Sequence, residues 1–208
     1  MSARSGIIAG MIRKAAIGLR AHSGWAALVA LAGSANSPEV IARRRIEIAD
    51  PGIRGSKQPY HAAEPMEFPD AKAYIERCID STRRLAREAL QAALDGLRDR
   101  RAEALGCGII LGSGRALPGL ESILKSHALI HTAEGEFFRN ALVEACGHCG
   151  LTVLGVKEKE LFERGSAHLR TAVPELERSV QQMGKSVGPP WTQDQKYAAL
   201  VAWMVLRP

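Results

Sequence analysis

Between Ala15 and Ala49 the chain carries three short apolar or alternating runs separated by tight polar turns, and this feature restricts its fold most. Ala15–Leu19 and Trp25–Ala32 flank the stretch Arg20-Ala21-His22-Ser23-Gly24, which predicts a β-hairpin. Gly33 to Pro38 has the composition of a second turn. In Val40–Ala49, Val40, Ala42 and Arg44 lie opposite Ile41, Arg43 and Arg45, and Ile46 and Ile48 resume an apolar face, a period-two pattern that predicts a third strand. Three consecutive strands with tight connections make an antiparallel meander.

Beyond Ala49 the pattern changes rhythm. Asp50 to Pro69 holds four prolines and two glycines and reads as a long loop, ending at Asp70 as a helix N-cap. Apolar residues from Ile75 to Leu97 then recur at helical spacing, predicting a helix from Asp70 to about Glu103. Cys107–Leu111 is a compact run between glycines, read as a buried strand, and Gly112–Gly119 is a loop. A helix over Leu120–Cys146, interrupted near Gly135, a strand over Leu151–Val156, and helices over Glu158–Arg164, Val173–Met183 and Thr192–Leu206 complete the chain. Meander first and alternation afterwards predicts an α/β fold, a mixed five-stranded sheet with helices on both faces. Residues 15–208 are expected to form one domain behind a loose N-terminal arm, residues 1–14.

Composition removes several classes. A hydrophobic share of 46% with 24% charged residues excludes a disordered chain. No stretch approaches the ~20 apolar residues of a membrane helix. Arg13 and Lys14 interrupt the N-terminal apolar run, so no signal peptide is expected. The cytoplasm is the expected compartment, with Cys78, Cys107, Cys146 and Cys149 reduced. The net charge of +6 points weakly to an anionic partner, nucleic acid or a phosphate-bearing ligand.

The element order resembles the ribonuclease H-like fold, and within it the Holliday-junction-resolvase branch. Gly18-Leu19-Arg20-Ala21-His22-Ser23-Gly24-Trp25 stands where that family carries Gly-hydrophobic-Asp followed by Gly-Trp. Gln193-Asp194-Gln195-Lys196-Tyr197-Ala198-Ala199-Leu200 is similar to the family's Asp-containing last helix. The resemblance implies a nuclease with two divalent metals, held by carboxylates from the first strand, the end of the fourth strand and a later helix. The residues depart from that pattern. Arg20 occupies the first-strand position, and Gly112-Ser113-Gly114-Arg115 ends the fourth strand without a carboxylate, leaving Asp194 alone. One carboxylate beside two arginines is a poor site for two Mg²⁺ ions, which need oxygen ligands and are repelled by positive charge.

Other chemistry is concentrated at Ser126–Glu134. His127 and His131 are four residues apart with Glu134 three further on, so a continuous helix presents all three on one side. Such a set suits a single transition metal, or a base with its orienting acid. A ribonuclease H-like topology would also bring His127 toward His22. The alternative is an ordinary polar helix face, with Glu134 paired to Arg139. Cys146-Gly147-His148-Cys149 has the letters of a dithiol-oxidoreductase motif, but it closes a helix rather than opening one. A helix C-terminus disfavours a thiolate, so a helix-ending turn is the better reading.

Three functions stay open. The first binds an anionic ligand or nucleic acid at a pocket of Arg20, His22, Ser23, Ser113, Arg115 and Asp194 that also collects His127, His131 and Glu134, with the nuclease carboxylates replaced. The second is a single-metal hydrolase using His127, His131 and Glu134. The third is a scaffold or homodimer formed through the apolar C-terminal helix.

Overall fold

The computed structural model describes residues 11–112 and 116–207. β1 (Arg13–His22), β2 (Trp25–Ser34) and β3 (Ser37–Glu47) form the antiparallel meander. β4 (Ala102–Leu111) pairs parallel with β1, and β5 (Val153–Lys157) pairs parallel with β4. The mixed sheet therefore runs β3-β2-β1-β4-β5. A two-residue turn, Ser23-Gly24, joins the first two strands, and Gly24 supplies the positive φ (83°) that such a turn needs. β1 starts at Arg13, inside the segment expected as a loose arm; residues 1–10 lie outside the described residues.

Strand alternation sorts the core into two layers. Ile17, Leu19, Leu28, Cys107 and Ile109 face α2 (Phe68–Arg98) and α4 (His127–His148), where Phe138 and Leu142 meet them. Ala16, Val29, Leu31, Ile110 and Val156 face α5 (Leu161–Leu169), α6 (Val173–Met183) and α7 (Gln193–Leu206). α7 lies against the two central strands with almost no side chain between. A Cβ on Gly18 would overlap the carbonyl oxygen of Ala198, and one on Gly108 would meet the carbonyl oxygen of Val201 at 2.5 Å. The three Arg residues at 43–45 divide between the faces: Arg43 donates to the Gly188 carbonyl (2.8 Å), and Arg44 reaches toward Gly96 of α2.

Three expectations need correction. The segment Asp50–Pro69 is not wholly loop, because Pro59 starts a short helix, α1 (Pro59–Ala63), where its missing N–H costs nothing. α2 starts at Phe68 with Glu67 at its N-cap, so Asp70 sits in the first turn; the helix stops at Arg98, and Glu103 belongs to β4. The break in the next helix falls at Lys125-Ser126, between α3 (Leu120–Leu124) and α4, while Gly135 lies in unbroken helix. Ala198 to Met204 are all buried against the chain's own sheet, and Trp203 Nε1 donates to the Ala35 carbonyl at 2.7 Å.

Among the described residues no helix is long and apolar enough to cross a membrane.

Candidate functional site

β1, β4 and β5 run parallel, so their C-terminal ends lie along one edge of the sheet, where side chains from several elements converge. Two polar clusters stand at this edge. They lie on opposite faces.

The first belongs to the α7 face. Arg20 and His22 share the parity of Gly18 and Ala16 and so point toward α7. Asp194 lies in the first turn of that helix, whose start is held by a capping box between Thr192 and Gln195. Asp194 Oδ1 accepts from Arg20 Nη1 at 2.7 Å and lies 2.8 Å from His22 Nε2. The other guanidinium nitrogen, Nη2, donates to Glu158 Oε1 at 2.9 Å, just beyond the end of β5. A guanidinium therefore stands between two carboxylates, with its side chain only 13% exposed. It also lies over the Tyr197 ring, 4.8 Å from the centroid. His22 stacks on Trp25 with a centroid distance of 4.3 Å, and Arg45 lies 3.8 Å from the Trp25 ring. These contacts pair Arg20 with both acids, while the His22 and Arg45 side chains stay 33% and 52% exposed at the rim.

The second cluster belongs to the α4 face. His127 and His131, one turn apart, bring their Nε2 atoms to 3.1 Å. The third imidazole is that of His61, from α1, with ring centroids 4.8 Å from His131 and 5.5 Å from His127. One ligand atom from each of the three lies within 4.8 Å of the others. Glu134 does not turn toward His127 and His131, nor does it pair with Arg139, which Glu136 engages at 3.2 Å instead. It turns inward to α1. Its Oε1 accepts from the backbone N–H of Tyr60 (2.8 Å) and of His61 (3.0 Å) and lies 3.2 Å from His61 Nδ1. Glu134 is 6% exposed, and its Oε2 is buried without a hydrogen-bond partner among the described residues. Burial pushes its carboxyl above the usual carboxylate range, against the opposing pull of His61 and the two amides.

The expected pocket thus divides in two. His22 and His127 do not share it, because β1 turns His22 to α7 while α4 packs on the other face of the sheet. Ser23, at the hairpin tip, lines a surface pocket with Lys57, Gln58 and His61. Ser113 and Arg115 lie outside the described residues. At the end of β4 the described residue is Gly112, beside the Arg139 and Glu136 pair. Sequence reasoning missed His61 and Glu158. The first had a usable signal in Pro59, a residue well suited to open a helix; the second had none beyond its place after a strand. Cys146 is buried and Cys149 half-buried at the C-terminal end of α4, where burial raises the Cys149 thiol. The N–H of Cys149 returns to the Ala145 carbonyl, so this tetrapeptide is a helix end.

No family model matches the sequence, and no curated protein does. Solved structures do. The chain superposes on RuvC of T. thermophilus in complex with a Holliday junction substrate, with a TM-score of 0.51 and 14% identity over 91% of each chain. A second Thermus thermophilus RuvC structure gives 0.48 and 12% over 91% of this chain and 92% of that one. The first superposition agrees with the element order and sheet topology: the fold is ribonuclease H-like, of the RuvC kind.

Proposed function

We propose that this chain is a ribonuclease H-like protein that binds nucleic acid at the C-terminal edge of its sheet and does not cut it by the two-metal route. The observation that carries this reading is the Arg20 guanidinium between Asp194 and Glu158. Two carboxylates from separate elements face one another across a positive charge, as they would across a divalent ion. The charge here is covalently attached to β1. It cannot activate water or bridge two phosphate oxygens as a metal does. An incoming Mg²⁺ would have to displace a guanidinium already hydrogen-bonded to both acids.

Nucleic acid as the ligand class is supported by the +6 net charge and by the Holliday junction on the RuvC structure of like fold. The His22–Trp25–Arg45 stack adds cationic and aromatic surface on the same face as Arg20. Phosphate contacts would fall to His22, Ser23 and Arg45, with Arg20 and Asp194 as the frame that holds β1 to α7.

The test is a fluorescence-anisotropy titration with a four-way junction, a duplex and a single strand, in chelator and at two salt concentrations. Binding should weaken with salt, log K falling by about 0.9 per phosphate contacted for each tenfold rise. Added Mg²⁺ or Mn²⁺ should produce no cleavage. Absence of binding at low salt would remove nucleic acid as the ligand, and metal-dependent cleavage would remove the claim that Arg20 has displaced the ions.

A further inference from the structure

Three imidazoles within reach of one point are chemically conspicuous, and the nucleic-acid reading uses none of them. We propose that His61, His127 and His131 bind one divalent transition metal of the Zn²⁺ or Co²⁺ type, oriented by Glu134. The site is separate from the Arg20–Asp194 cluster and does not depend on what that cluster binds.

Geometry is the first support. In a tetrahedral zinc site with Zn–N bonds of about 2.0–2.1 Å, two ligand nitrogens stand about 3.3–3.4 Å apart. His127 Nε2 and His131 Nε2, at 3.1 Å, need to move by tenths of an ångström. Their one-turn spacing on α4 holds them on one side of the helix. His61 comes from a different element, and its ligand atom is already within 4.8 Å of theirs.

Glu134 is the second support and is independent of the first. Through His61 Nδ1 it favours the tautomer with the proton on Nδ1, which leaves the Nε2 lone pair free for an ion. A carboxylate behind a ligating histidine is the usual second layer of such sites; it fixes the ring and raises its basicity. A buried carboxylate whose Oε2 is unpartnered among the described residues is otherwise costly in this position. A cation one imidazole away would compensate it.

The donor set also selects the ion. Imidazole nitrogens suit Zn²⁺, Co²⁺, Ni²⁺ or Cu²⁺, whereas Mg²⁺ and Ca²⁺ require oxygen ligands. His127 and His131 are exposed, so the ion can enter from solvent. Three protein ligands leave a fourth position to water, the arrangement of reactive rather than purely structural zinc sites.

The experiment uses the full chain, stripped with chelator and titrated with Co²⁺ by visible absorption, then with Zn²⁺ in competition. One ion per chain with imidazole-ligated Co²⁺ bands is the expected result. His61→Ala, His127→Ala and His131→Ala should each weaken binding at least ~100-fold, and Glu134→Gln about 10–100-fold with the bands retained. Circular dichroism on each variant separates lost ligation from lost fold; His127 and His131 are exposed, so their variants keep the test decisive. No stoichiometric binding overturns the proposal. So does binding indifferent to His61→Ala, which would mean a two-histidine surface chelate. Chelator in the nucleic-acid titration keeps the two results apart.

Discussion

The two clusters at the sheet edge differ in how their charges are settled. On the α7 face Arg20, Asp194, Glu158 and His22 settle among themselves, in contacts of 2.7–2.9 Å. On the α4 face the three imidazoles meet no carboxylate at their outer side among the described residues, and Glu134 serves one of them from behind. The first is an ion-pair network that holds a helix to a strand. The second is a set of lone pairs converging on a point. The contrast shows that side chains paired on one face of a sheet say nothing about those on the other.

The comparison can be broken at its foundations first. Gly18→Val should be the most damaging single change, because its side chain would overlap the α7 backbone. The expected loss is at least about 3 kcal/mol in a denaturant titration. It should also loosen Asp194 from Arg20 while leaving the histidines in place. Next is Glu134→Ala. It strips two backbone amides and His61 of their acceptor and should cost about 2–3 kcal/mol. Its Co²⁺ affinity should fall as well, whereas nucleic-acid binding in chelator should hold. Asp194→Asn is the mildest. It keeps an acceptor for Arg20 but removes a charge, for a loss of about 1 kcal/mol in thermal or chemical melts. Co²⁺ binding at the histidines should not respond to it. A response would mean the two clusters are coupled through the sheet, and the division drawn between them would fail.

Much of the fold is legible in the sequence. The meander comes from alternation and turn chemistry between Ala15 and Ala49, and the order of helices and strands after it gives the ribonuclease H-like topology. Arg20 is visible as a letter at the position where the resemblance expects a carboxylate, though its pairing with Glu158 is not. Side-chain partners across 138 residues leave no local trace. His61 is hidden by composition: prolines and glycines around it read as loop, yet Pro59 opens a turn of helix that delivers the third imidazole. The expected meeting of His22 and His127 fails on parity. Both approach the same edge, but residue 22 shares its side with 20 and 18, and α4 covers the side of 17 and 19. The helix break near Gly135 fails for a related reason. That position tolerates glycine within α4, with Arg139 lying across the missing side chain.

Gly18 and Arg20 are successive residues on one side of β1, and they divide a task. Position 18 sets how closely the last helix can approach, by offering nothing to push against. Position 20 sets what that approach accomplishes. The two are separable, so the side chain at the tip of the strand can change without altering the spacing that the rest of the scaffold depends on. A fold with its distance gauge in a glycine leaves the next position along the same row free to take a different partner while keeping its shape.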